Sequence, residues 1–210
     1  MSAARKDTTT ASTKDAVFES AARLFANGGF DGVSVDDIAK DAGVNKAMIY
    51  YHFADKLALY RAVLADGLGR MGATAHGIAA APESPSAKLD RFIEAFVRMT
   101  EQRPWMPALM LREIAEGAPR LDAPTLEHMR MVIGSFVAIL TQGQESGAFR
   151  RLHPILAYES VIGPIIINAA RERVAAQPSR QNADFPMLVA ISHDDVIRHA
   201  QDTAKRMLQP

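Results

Sequence analysis

Residues 34–53 read SVDDIAKDAGVNKAMIYYHF, and their pattern decides the fold. Ser34 can cap the amide of Asp37, three residues on, and Asp37 can answer from the first turn, so a helix starts here. That helix runs only to about Asp41. Gly43 supplies a turn that needs a residue tolerant of positive φ. Asn45 can cap a further short helix ending near Phe53. Two short helices joined by a tight turn form a helix-turn-helix, whose second helix enters the DNA major groove. The packing demands are met residue by residue. Ala39 is small where the two helices cross. Ile49 and Phe53, four apart, anchor the inner face of the second helix. Val35, Ile38 and Val44 complete a small core. The outer face of that helix then carries Lys46, Ala47, Tyr50, Tyr51 and His52. Aromatic rings can pack on sugars or thymine methyls, and their polar tips can reach phosphates or base edges.

Working outward, Val17, Ala21, Leu24 and Phe25 share one face of a helix from about Lys14 to Ala26, stopped by Asn27-Gly28-Gly29. Residues 1–12 are small, polar and Thr-rich and are expected to form a disordered arm; Arg5 and Lys6 belong to that solvated tail rather than to a minor-groove contact. Asp55 can cap another helix that begins at Lys56, where free amides favour a phosphate. Ala79 to Pro85 reads as a connection. Further helices are predicted near 86–102, 105–116, 124–143, 154–176 and 193–208. Residues 177–192 read as a loop. Nothing alternates as a strand would, so the fold class is all-α.

Residues 13–60 resemble the N-terminal domain of the TetR family of bacterial repressors. The resemblance rests on Leu24-Phe25, Gly29-Phe30, Ser34-Val35, Ile38-Ala39, Ala42-Gly43-Val44, Tyr50-Tyr51-His52-Phe53, Lys56 and Leu57. A weaker echo is Gly143-x-x-x-Gly147-x-Phe149, similar to the end of a ligand-domain helix in many members. The resemblance implies that Ser34, Asn45, Lys46, Tyr50, Tyr51, His52 and Lys56 touch operator DNA, mostly phosphates, and that Ala47 and Met48 approach base edges. Ala47 stands where members often have Gly, and Met48 where Thr or Ser is common, so no operator sequence carries over. The family reading divides the chain into the arm 1–12, a DNA-binding domain 13–56 and a helical effector-binding and dimerisation domain 57–210.

In that last domain Phe92, Phe96, Met99, Trp105, Met106, Met110, Phe136 and Ile139 are candidates to line a site for an apolar small molecule, with Arg112, Glu113 and His128 as its polar contacts. For any one of them plain core or surface packing is the commoner role. Ala157, Val161, Pro164, Ile165 and Asn168 suit a dimer interface, in which two helices from each subunit would form a four-helix bundle. Dimerisation has a mechanical reason. One short helix reads few bases, so two must meet half-sites about 34–36 Å apart.

Composition bounds the alternatives. The chain has 210 residues, 24 Lys and Arg against 24 Asp and Glu, and no cysteine. Binding to nucleic acid must then come from placement rather than total charge, since residues 1–60 are also about balanced. The absence of cysteine fits a reducing cytoplasm, and neither a signal peptide nor a membrane-length apolar run is read. An enzyme is the main rival. Gly67-Leu68-Gly69-Arg70-Met71-Gly72 matches a dinucleotide glycine pattern but lies within a predicted helix, and His193-Asp194-Asp195 lacks metal-site spacing. No cofactor or metal is expected. A DNA-architectural protein without a ligand is the second rival, and the long apolar C-terminal part argues against it. The expected partners are double-stranded operator DNA, a small effector and a second copy of the chain, with no membrane.

Overall fold

A computed structural model describes residues 4–175 and 191–210, with side chains from Thr13 to Arg173 and from Ile191 on. The expectation for 177–192 lies, except for its last two residues, outside the described residues. The described elements are helices: α1 (Ala4–Gly28), α2 (Val35–Ala42), α3 (Lys46–His52), α4 (Lys56–Ala80), α5 (Pro85–Gln102), α6 (Met106–Ala115), α7 (Ala123–Glu145), α8 (Pro154–Ala175) and α9 (His193–Leu208). Helices α5 to α9 begin and end within a residue or two of the bounds read from periodicity. The helix α1 takes in residues 4–12, which the sequence reading assigns to the arm; that stretch contains neither Gly nor Pro to stop a helix.

The described chain forms two compact units. The first holds the residues up to Asp66 together with Ala108–Thr125. In it α1 packs on α2 and α3, and α2 on α3. The shared core is Val17, Ala21, Phe25, Ile38 and Ile49, each fully buried, with Ala39 and Phe53 nearly so. Ser34 and Asp37 form a reciprocal capping box: the Asp37 amide donates to Ser34 Oγ (3.1 Å) and the Ser34 amide to the Asp37 carboxylate (2.9 Å). The helix stops at Gly43, whose φ of 66° is left-handed. The amides of Gly43 and Val44 then turn back to the carbonyls of Lys40 and Ala39, which satisfies the open end of the helix. Asp41 is tied to α1 by Ser20 Oγ (2.6 Å) and Arg23.

The second unit holds Gly67–Pro107 and the described residues from Leu126 on. Its centre is α5, which packs against α8 and α9, while α8 also packs on α9. Phe92, Ile93, Val97, Phe136, Ile139, Ile162 and Ile165 fill the core. Phe92 and Phe136 meet edge to face at 5.5 Å, as do Phe136 and Tyr158 at 5.4 Å. The Phe149 ring folds back onto α7 over Gly143, where any Cβ would collide with it, and its amide donates to the Gly143 carbonyl (2.9 Å). The glycines at 67, 69 and 72 sit within α4. They give close approach to Met106, His128 and Met131, the work of helix packing rather than of a phosphate loop.

Candidate nucleic-acid interface

Seven residues make up α3, and its two faces differ sharply. Ile49 is fully buried and Phe53 is 8% exposed, whereas Tyr50 is 49% and Tyr51 73% exposed. Helical geometry forces this split, because Ile49 and Phe53 take the inner stripe and push the tyrosines outward. An exposed tyrosine leaves apolar ring surface in water and is available to a partner. Asn45 caps the helix by accepting from the Ala47 amide (2.9 Å).

The expected DNA contacts fall into three groups. Lys46, Ala47, Tyr50 and Tyr51 share the exposed side of α3, with Met48 half-buried beside them. Ser34 and Asn45 stand at the starts of α2 and α3, exposed, each already using its side chain as a cap. His52 and Lys56 are half-buried. Nε2 of His52 is enclosed and has no hydrogen-bond partner among the described residues, and its ring lies edge-on to Tyr51 at 5.0 Å. The Lys56 ammonium turns inward, donating to the carbonyls of Phe30 (2.9 Å) and Val33 (3.0 Å), and lies 4.2 Å from the Phe30 ring centre.

Local electrostatics centre on carboxylates. Lys46 Nζ lies 2.8 Å from Asp36, both exposed, and that hydrogen bond holds the ammonium in its charged form above its ordinary range. Both groups are open to water and salt, which screen the pair, so a phosphate can compete with Asp36 for the ammonium. Two hydrogen bonds from Ser34 hold the Asp37 carboxyl below its usual range, and the bond from Ser20, then that from Arg23, does the same to Asp41.

The other expected residues separate. Phe92, Phe96, Phe136 and Ile139 are buried in the second unit's core, with Met99 packed against them, and Trp105 and Met106 are buried in that unit as well. His128 lies over Gly69. Met110 and Arg112 belong to the first unit, where Arg112 is exposed and donates to the Asn27 carbonyl (3.2 Å). An open groove of about 550 Å³ between α4 and α7 is lined by His76, Glu127, Arg130 and Met131 and by none of the expected ligand residues. Val161, Pro164, Ile165 and Asn168 line a mostly apolar cavity of about 180 Å³ between α8 and α9, while Ala157 is buried in the core. Among the described residues no group of three or more acidic or histidine side chains is placed to hold a metal, and no helix is long and apolar enough to cross a membrane.

Sequence reasoning missed two groups. Tyr158 on α8 keeps a largely buried phenol, which burial pushes up to about 12. The other is built on Glu113, which is fully buried. It accepts from the Tyr60 hydroxyl (2.7 Å) and from the Arg120 guanidinium (3.2 Å) and backbone amide (3.4 Å). Burial and the Glu113 carboxylate both push the Tyr60 phenol upward. Tyr60 and Glu113 lie 53 residues apart, so no local pattern could have paired them.

This geometry is that of a helix-turn-helix DNA-binding domain. The model of bacterial regulatory proteins, tetR family, matches residues 17–63. The icaADBC biofilm operon's HTH-type negative transcriptional regulator IcaR of Staphylococcus aureus (strain Newman) is 45% identical over 47 residues, 22% of this chain and 25% of that protein. Its counterpart in Staphylococcus epidermidis (strain ATCC 35984) is 42% identical over 48 residues, 23% and 26% of the two chains. The match thus spans about a quarter of the length of these relatives. Among solved structures, the TetR family transcriptional regulator PfmR from Thermus thermophilus has a TM-score of 0.72 at 25% identity, over 92% of this chain and 99% of that one. The ketosteroid transcriptional regulator KstR2 of Mycobacterium tuberculosis has a TM-score of 0.75 at 20% identity, over 94% and 95%, a likeness of fold. Residues 17–63 are thus similar to the DNA-binding part of tetR-family regulators, and the fold is like that of solved regulators described as TetR family.

Proposed function

We propose that this chain is a cytoplasmic transcriptional repressor that binds a palindromic operator as a homodimer and is released by a small, apolar effector. The observation that carries the reading is α3, with Tyr50 and Tyr51 exposed on a helix pinned from behind by Ile49 and Phe53. On this reading Tyr50, Tyr51 and Lys46 meet phosphates and sugars, Ala47 and Met48 approach base edges, and the start of α4 faces a phosphate. His52, edge-on to Tyr51, joins these contacts, as do Ser34 and Asn45 at the helix starts. The second copy is expected against α8 and α9, where Pro164 and the exposed Ile155, Leu156 and Ile167 leave apolar surface in water. The effector acts by favouring a spacing of the two reading heads that DNA does not match.

The test is recovery of fragmented genomic DNA by the purified chain, followed by sequencing, beside the Tyr51→Ala variant. A few fragments sharing one inverted repeat, lost in the variant, are expected. Uniform recovery of all fragments, weakening with salt alone, would instead make the chain a non-specific DNA binder.

A further inference from the structure

Phe30, Asp31, Gly32 and Val33 join α1 to α2 outside any helix, and the next residue is Ser34, the cap that starts α2. Side chains grip this linker from two directions. From α4, Lys56 holds the carbonyls of Phe30 and Val33, and Tyr60 meets the Phe30 ring edge-on at 5.2 Å. From the connection between α6 and α7, the Arg120 guanidinium lies 4.9 Å from the Phe30 ring centre and donates to Asp31 (3.1 Å). Arg120 is itself held by Glu116 and by the buried Glu113. One guanidinium therefore serves three carboxylates and two rings, those of Phe30 and, at 6.0 Å, Tyr60. Its planar fork of donors suits this role, and a lysine would satisfy only part of it.

We propose that Arg120 is a positioning residue for DNA reading: from outside the helix-turn-helix it fixes the α1–α2 linker, and so the start of α2, in the posture in which α2 and α3 meet DNA. The proposal rests on the DNA-binding reading above. Contact sites tolerate displacements of only about 0.5 Å, so a loosened linker costs affinity even though no DNA-facing side chain is altered. Arg120 also neutralises a carboxylate that is fully buried, so its loss has a stability cost that must be told apart from positioning.

Three full-length variants separate the two roles. Arg120→Met keeps the apolar stem and removes the fork. Arg120→Met with Glu113→Gln also removes the stranded charge. Arg120→Lys keeps a cation. Three quantities are read: the thermal midpoint, and beside it amide hydrogen exchange over residues 29–37 of the free protein and affinity for a duplex carrying the inverted repeat recovered from the genome, against a scrambled duplex. For Arg120→Met, linker exchange speeds up and specific affinity falls, each by about tenfold or more. The double variant regains the thermal midpoint but neither of these, and Arg120→Lys regains part of both. Recovery of affinity together with stability in the double variant would reduce Arg120 to a stabilising residue and overturn the proposal. So would unchanged exchange in the linker, or faster exchange at unchanged affinity. If the unaltered chain prefers no duplex, the DNA reading itself fails and takes the positioning role with it, an outcome visible before any substitution is made.

Discussion

Replacing Tyr51 separates contact from stability more cleanly than any other change on α3. Its side chain is 73% exposed, and among the described residues its ring meets that of His52 edge-on. Truncation to alanine leaves no cavity and improves helix propensity, so the change in folding stability is expected to stay within about 1 kcal/mol. A hydroxyl bonded to a phosphate is worth about 1.5–3 kcal/mol, which converts to a loss of roughly 10- to 150-fold per half-site. Tyr51→Phe removes only that bond, while Tyr51→Ala also removes ring packing on the sugar and falls further. Fluorescence anisotropy with the inverted-repeat duplex at fixed salt measures both, and urea unfolding supplies the stability control. Binding of Tyr51→Ala within twofold of the unaltered chain would show that the exposed face of α3 is not the reading surface.

Three further outcomes are expected. Asp36→Asn frees Lys46 and removes a negative charge beside the phosphates, so affinity should rise by up to about fivefold at low salt, a small gain because the pair is exposed, and the gain should vanish at high salt in the same anisotropy assay. Ile49→Ala empties a fully buried site behind α3 and should cost about 2–5 kcal/mol in urea unfolding. Asp37 titrates below its ordinary value of 3.8 in the folded protein, so its contribution is present above that pH and is lost as pH falls through the lowered value. The melting temperature of Asp37→Ala should therefore lie below that of the unaltered chain near neutrality and converge with it in acid; a constant gap down to about pH 2 would argue against the capping carboxylate.

Local chemistry explains what could be read in advance. The capping box of Ser34 and Asp37, the left-handed turn at Gly43 and the inner stripe of Ile49 and Phe53 each depend on residues three or four apart, and each stands in the structure where the pattern put it. The helices α5 to α9 were legible for the same reason, since prolines and glycines punctuate an apolar period. What spacing cannot encode is which helix meets which. Arg112 and Glu113 are neighbours in the chain and both stand as candidate polar contacts for an effector, yet one is exposed beside the Asn27 carbonyl and the other is fully buried under Arg120 and Tyr60. Lys56 shows the same limit at short range. Its position at a helix start points to a phosphate near the free amides, and nothing in that local pattern tells of the carbonyls of Phe30 and Val33, 26 and 23 residues earlier, to which its ammonium donates. In both cases a charged group has settled where folding leaves backbone carbonyls or a buried carboxylate in need of a partner. The inward charges of Lys56 and Arg120 converge on the linker that leads into Ser34, so the start of α2 is held by side chains that lie far from it in the chain.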